Sequence, residues 1–201
     1  MNKKILVMLL IIGFNVNAKL PNNPAIATAH PMATAAGYEI LAKGGNAFDA
    51  AVAISAVLSV VEPESSGIGG GGFWLLHDVK NDKNVMVDAR EQAPAAAHRD
   101  MYLDEDGNVD RDLAINGPLS AGIPGNVAAM THIVKNYGKL SLAEDLAPAI
   151  KIAKQGFPAY DKFVRGLASK KKYMQRYPAT MKAYFINGKD TPKLGDIIVQ
   201  K

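Results

Sequence analysis

The chain has 201 residues, 48% of them hydrophobic and 21% charged, which is the balance of a folded globular protein and excludes a disordered one. It carries a formal charge of +4 and no cysteine, so disulfides, a Cys nucleophile and Cys-based metal sites are excluded, and stability must come from a packed core.

The first eighteen residues, MNKKILVMLLIIGFNVNA, place Lys3 and Lys4 before an apolar run from Ile5 to Phe14, with small residues at Val16 and Ala18. This layout predicts a secretory signal peptide over 1–18, cleaved after Ala18, with 19–201 as the mature chain. The apolar run is short for a membrane span, so no stable span is expected after cleavage; the competing reading is an uncleaved anchor. Cleavage removes Lys3 and Lys4 and lowers the formal charge from +4 to +2, which is weak support for a nucleic-acid partner.

Beyond a proline-punctuated lead-in, Ala25–Ala29 reads as a buried strand ended by His30 and Pro31. Met32, Ala36 and Ile40 recur at helical spacing and predict a helix over 32–43, stopped by Gly44 and Gly45. Asn46 is placed to cap a second helix, with Asp49 three residues on as a capping-box acid. From Phe48 to Val61 that helix is apolar almost all round, so it belongs between layers, beside a sheet.

The stretch that follows is the most unusual in the chain. Gly67-Ile68-Gly69-Gly70-Gly71-Gly72 puts five glycines in six positions, which implies irregular backbone or close approach of another group. Phe73–Val79 and Val85–Asp88 then read as two strands joined by the polar turn Asn81-Asp82-Lys83, the second delivering Arg90. The pattern Gly67-x-Gly69-x-x-Gly72 matches the dinucleotide fingerprint by letter, but that loop lies between a strand and a following helix. Here a helix precedes the glycines and a strand follows, which argues against a nucleotide.

Glu91–Leu103 has no clean period and is expected to wrap the surface. Asp104–Asn108 resembles a calcium loop, but its glycine is misplaced and no glutamate closes it, so it reads as an acidic turn. Gly122-Ile123-Pro124-Gly125 opens a helix running to Tyr137 and ending at Gly138. Ser141 with Glu144 forms a capping box for another, in which Leu142, Leu146, Ile150 and Ala153 make an apolar stripe up to Gly156. The tail from Asp161 is more polar, with a short strand expected within Leu194–Val199. The four histidines, His30, His77, His98 and His132, show no metal-ligand spacing, and Lys170–Tyr177 reads as a solvated helix face.

Arg90 is the candidate binding residue. A guanidinium presents a rigid fork that takes a carboxylate through two parallel hydrogen bonds, which suits an amino-acid α-carboxylate. A salt bridge to Asp88 or Glu91 explains it equally well from the residues alone.

The runs GYEILAKGGNAFDAAVA, PESSGIGGGGF and VDAREQAP, in this order, resemble the N-terminal part of the gamma-glutamyltranspeptidases, also called glutathione hydrolases, and the likeness extends over roughly Ala25 to Gln200. The resemblance implies an α+β fold, part of the αββα sandwich of the N-terminal nucleophile hydrolases, incomplete in this chain. It implies a precursor cut into large and small subunits, with the threonine freed at the small subunit's N-terminus as nucleophile and its own amine as base. The γ-glutamyl group of glutathione or another γ-glutamyl compound passes to that threonine and then to water or an acceptor amine, with no cofactor and no metal. Arg90 matches the arginine that holds the substrate α-carboxylate. The nucleophile has no counterpart here and is expected beyond Lys201, so no residue of this chain is assigned as catalytic. The expected partners are a small γ-glutamyl substrate, the remaining large-subunit segment and the small subunit. The alternative is a non-catalytic exported remnant, or a binding subunit of a split enzyme.

Overall fold

The computed structural model describes residues 23–200, so the expected signal peptide lies outside the described residues. Helix α1 (Pro31–Ala42) starts at a proline, whose fixed φ suits a first turn and whose missing N–H is not needed there. His30 Nδ1 accepts the Met32 N–H at 3.2 Å and caps it. Helix α2 (Ala47–Val61) has the expected capping box: Asn46 Oδ1 accepts the N–H groups of Phe48 and Asp49, and Asp49 Oδ2 accepts the Asn46 N–H at 2.7 Å.

Because α2 is apolar on every side, it joins three groups of buried side chains. Ala50 and Ala53 cluster with Ile40 of α1. Val52 clusters with Leu76, Met130 and Ile133, while Ala56, Val57 and Val61 join Ala149, Phe157 and Phe163. Each buried valine contributes about 1.5–3 kcal/mol by leaving water.

Strands β1 (Phe73–Asp78) and β2 (Lys83–Asp88) form an antiparallel hairpin with Phe73 opposite Asp88 and Asp78 opposite Lys83. The ladder extends one step further through mutual hydrogen bonds between Gly72 and Ala89. Alternation along the strands sends Trp74, Leu76, Val85 and Val87 toward the helices. The opposite face is bare, with Phe73 64%, Leu75 72% and Met86 60% exposed.

After the short α3 (Arg111–Ile115), helices α4 (Asn126–Tyr137) and α5 (Leu142–Gln155) pack on α2, each stopping at the glycine expected from the sequence, Gly138 and Gly156. Strand β3 (Phe157–Pro158) pairs with β4 (Ile197–Ile198), and α6 (Asp161–Met174) and α7 (Pro178–Tyr184) lie between them in the chain.

Two expectations are corrected and one is filled in. Ala25–Ala29 is not a strand: no strand lies beside it among the described residues, and its three alanines offer little side-chain surface to hold one. The polar tail after Asp161 folds into two helices, because Phe163 and Leu167 of α6 and Met181 of α7 supply a buried stripe among the charges. The buried face of α5 is centred on Asp145, Pro148 and Ala149, one position away from the apolar stripe. Leu142, Leu146 and Ile150 are left partly exposed, lining with Val60, Ile68 and Val127 an apolar groove of about 270 Å³.

Candidate functional site

The glycine loop joins the end of α2 to β1, the reverse of the order a dinucleotide loop requires. At its entry, the Tyr160 hydroxyl donates to Glu64 Oε1 at 2.7 Å and Lys162 Nζ to Ser65 Oγ at 2.7 Å. Lys162 also stands 3.8 Å from the buried carboxylate of Glu62. Burial, reinforced by the bond to Glu64, pushes the Tyr160 phenol above its ordinary range, so it stays a donor. In mid-loop, Asn126 at the start of α4 donates its backbone N–H to the Gly70 carbonyl and its side-chain amide to the Gly67 carbonyl, each at 3.2 Å. At the exit, the Gly72–Ala89 pair closes the loop onto the hairpin.

None of the glycines from 67 to 72 has a positive φ, so the left-handed region is not the reason for them. Close approach accounts for Gly71, where a β-carbon would overlap the Ala89 carbonyl oxygen and stand 2.9 Å from Arg90 Cα. Gly125 presses on the same residues, where a β-carbon would overlap the Ala89 carbonyl oxygen and meet the Arg90 carbonyl oxygen at 2.6 Å. Two glycines from distant parts of the chain therefore grip the backbone of Ala89 and Arg90. Gly69 and Gly72 face open space within 4 Å.

The Arg90 backbone is fixed further by its N–H, which donates to Asp88 Oδ1 at 2.9 Å. Its side chain is 63% exposed, and Nε lies 3.5 Å from Glu91 Oε2. The sequence left a choice between a salt bridge and a free fork, and the structure has elements of both. Nε forms a long ion pair with Glu91, while neither terminal nitrogen makes a hydrogen bond among the described residues. Glu91 Oε2 is itself shut off from solvent without a hydrogen-bond partner.

Adjacent in sequence, Arg90 and Glu91 open into different spaces. Arg90 borders a cavity of about 370 Å³ walled by Val87, Pro124, Gly125 and His132. Glu91 borders a cleft of about 720 Å³ walled by the glycine loop, Asn126 and Tyr184. Glu91 and Asn126 were not legible as site residues: one was seen only as a neighbour for Arg90, and the other followed a turn signal that says nothing about what it touches. Among the described residues no cluster of three or more His, Asp or Glu side chains could hold a metal ion.

The helical layer over one face of the hairpin, together with the solved structures that the chain superposes on, places it in the N-terminal nucleophile hydrolase sandwich, of which it covers a part. The family model described as gamma-glutamyltranspeptidase matches residues 33–201, and the chain belongs to that family. It is 38% identical over 177 residues to the glutathione hydrolase proenzyme of Bacillus subtilis, covering 88% of this chain and 30% of the relative. The Escherichia coli glutathione hydrolase proenzyme is likewise 38% identical over 175 residues, with 87% and 30% covered. Among solved structures, gamma-glutamyltranspeptidase of Helicobacter pylori superposes with a TM-score of 0.84 at 38% identity, over 90% of this chain and 52% of that one. The chain thus spans about 30% of the length of these curated relatives.

Proposed function

We propose that this chain is the N-terminal portion of the large subunit of a γ-glutamyl hydrolase or transferase acting on glutathione and other γ-glutamyl compounds, and that Arg90 binds the substrate α-carboxylate. The observation that carries the reading is the state of Arg90. Its backbone is held by Gly71, Gly125 and Asp88, its Nε is engaged by Glu91, and its two terminal nitrogens make no hydrogen bond among the described residues. A fork rooted in a held backbone and open at its tip can take a carboxylate through two charge-assisted bonds. The structure of the Pseudomonas nitroreducens gamma-glutamyltranspeptidase, 34% identical to this chain, is described as complexed with L-DON, which supports a small-molecule site in that relative.

The threonine nucleophile, its base and the groups that stabilise the oxyanion come from the remaining large-subunit segment and the small subunit. The bare face of the hairpin and the groove beside α5 are the surfaces those partners cover. Burying Phe73, Leu75 and Met86 contributes about 1.5–3 kcal/mol each. Export to the periplasm or the cell exterior follows from the signal-like N-terminus; no described helix is long and apolar enough to cross a membrane.

Reconstitution tests the proposal. The 201 residues alone should not turn over γ-glutamyl-p-nitroanilide, and co-expression with the missing large-subunit segment and small subunit of a relative should restore turnover. Turnover by the chain alone above a mock preparation would contradict the assignment of the nucleophile to a partner. A correctly assembled but inactive complex would favour a non-catalytic remnant.

A further inference from the structure

Asp49 and Asp145 are both fully buried, with 0% exposure, yet they are solvated by the protein in opposite ways. Asp49, in the first turn of α2, is ringed by donors. Its Oδ2 accepts the N–H of Asn46 at 2.7 Å and of Lys139 at 3.0 Å, and its Oδ1 accepts those of Lys139 at 3.0 Å and Leu140 at 3.2 Å. Four backbone contacts at the positive end of a helix suit a carboxylate. The fit is tight, since a β-carbon on Gly138 would stand 2.5 Å from Asp49 Oδ1.

Asp145, in the first turns of α5, has no such support: neither of its oxygens has a hydrogen-bond partner among the described residues. The charges that act on it are those of Asp49 on α2 and of the exposed Glu144 on its own helix, both acidic. No lysine or arginine is ion-paired with Asp49 or Asp145 among the described residues. Leaving a charged carboxylate there, unpaired, would cost several kcal/mol. Of two buried carboxyls, one ringed by donors and one without any, the one without donors is the one that keeps a proton.

We propose that the buried junction of α2 with the start of α5 is a proton-binding site, with Asp145 holding the proton as a neutral carboxyl while Asp49 is satisfied by backbone donors. Burial, with help from the charges of Asp49 and Glu144, raises Asp145 from its ordinary 3.8 to about 6. The sign follows from linkage: the folded state binds this proton more tightly than the unfolded one. The stability it supports is complete below 3.8 and is lost as the pH rises through about 6. What loosens is the junction of α2 with the α4–α5 link, where Lys139 and Leu140 donate to Asp49.

The test uses the full chain with isotope-labelled aspartate carboxyl carbons, followed by NMR as the pH is raised. One resonance should titrate near pH 6 and should be missing from Asp145→Asn, which keeps the side-chain shape without the ionisation. In parallel, between about pH 5 and about pH 7.5 the melting temperature of the parent should fall by roughly 3–6 °C more than that of the variant. If every aspartate titrates in the ordinary carboxylate range, or if parent and Asp145→Asn lose stability in parallel, the proposal is overturned.

Discussion

Gly71 leaves no room for a side chain beside Arg90: a β-carbon at position 71 would lie 2.9 Å from Arg90 Cα and 2.9 Å from the Glu91 nitrogen. The neighbour is backbone, which cannot swing away as a flexible side chain would. Gly71→Ala should therefore push the loop off the hairpin and cost about 1–3 kcal/mol, the usual range for overpacking. Gly69→Ala, which meets nothing within 4 Å, should change stability by only a few tenths of that. Denaturant midpoints of the two variants check the contrast, and equal losses would show that the loop does not press on Arg90.

Asn126 holds the loop with one side-chain bond and one backbone bond. Asn126→Ala removes only the first and should destabilise by about 1 kcal/mol. Amide exchange should quicken at Gly67 and Ile68 and stay slow in the α2 interior. Uniform quickening would mean that Asn126 supports the fold as a whole.

Two helix starts carry the same capping box but differ in their surroundings. Ser141 is exposed and caps α5 locally, whereas Asn46 also donates its side-chain amide to the Tyr137 carbonyl at 2.7 Å, ninety-one residues away. Ser141→Ala should cost about 1 kcal/mol and Asn46→Ala about 2 kcal/mol or more, measured by thermal unfolding. A reversed order would remove the tie between α2 and α4 from the account.

Export can be checked on the natural protein by mass spectrometry of the cell envelope. The mature N-terminus should be Lys19. An intact Met1 in the cytosol would refute the signal-peptide reading.

Much of the fold was legible because local chemistry and global packing agree in these segments. Asn46 with Asp49, Ser141 with Glu144, and the glycines at 138 and 156 mark helix ends by backbone hydrogen bonding alone, and the structure places them there. The hairpin followed from alternation. The failures share another cause: they depend on what lies across from a residue. Ala25–Ala29 reads as a strand only if a neighbour pairs with it, and Asp145 is polar by letter but buried by its place on the packed face of α5. In the same way the glycine loop announced close approach without saying to what, and the answer, Ala89 and Arg90, came from the hairpin register and from Gly125. Arg90 could be singled out as a candidate because a specific motif surrounds it, and its ion pair with Glu91 is one of the two partners that the sequence offered.

The most direct measurement of the central claim is a substrate comparison in the enzyme completed with the missing large-subunit segment and small subunit. Arg90→Ala should lower kcat/KM for a γ-glutamyl substrate by about 2–5 kcal/mol, roughly 30-fold to several thousand-fold, because the α-carboxylate is left unpaired in the site. Arg90→Lys should restore only part of this, since it keeps the charge but not the fork. A substrate with its α-carboxylate amidated should be poor for the parent and nearly indifferent to Arg90→Ala. If the amidated substrate instead loses as much as the normal one, Arg90 acts through folding or maturation, and the assignment of its free fork to the substrate carboxylate is wrong.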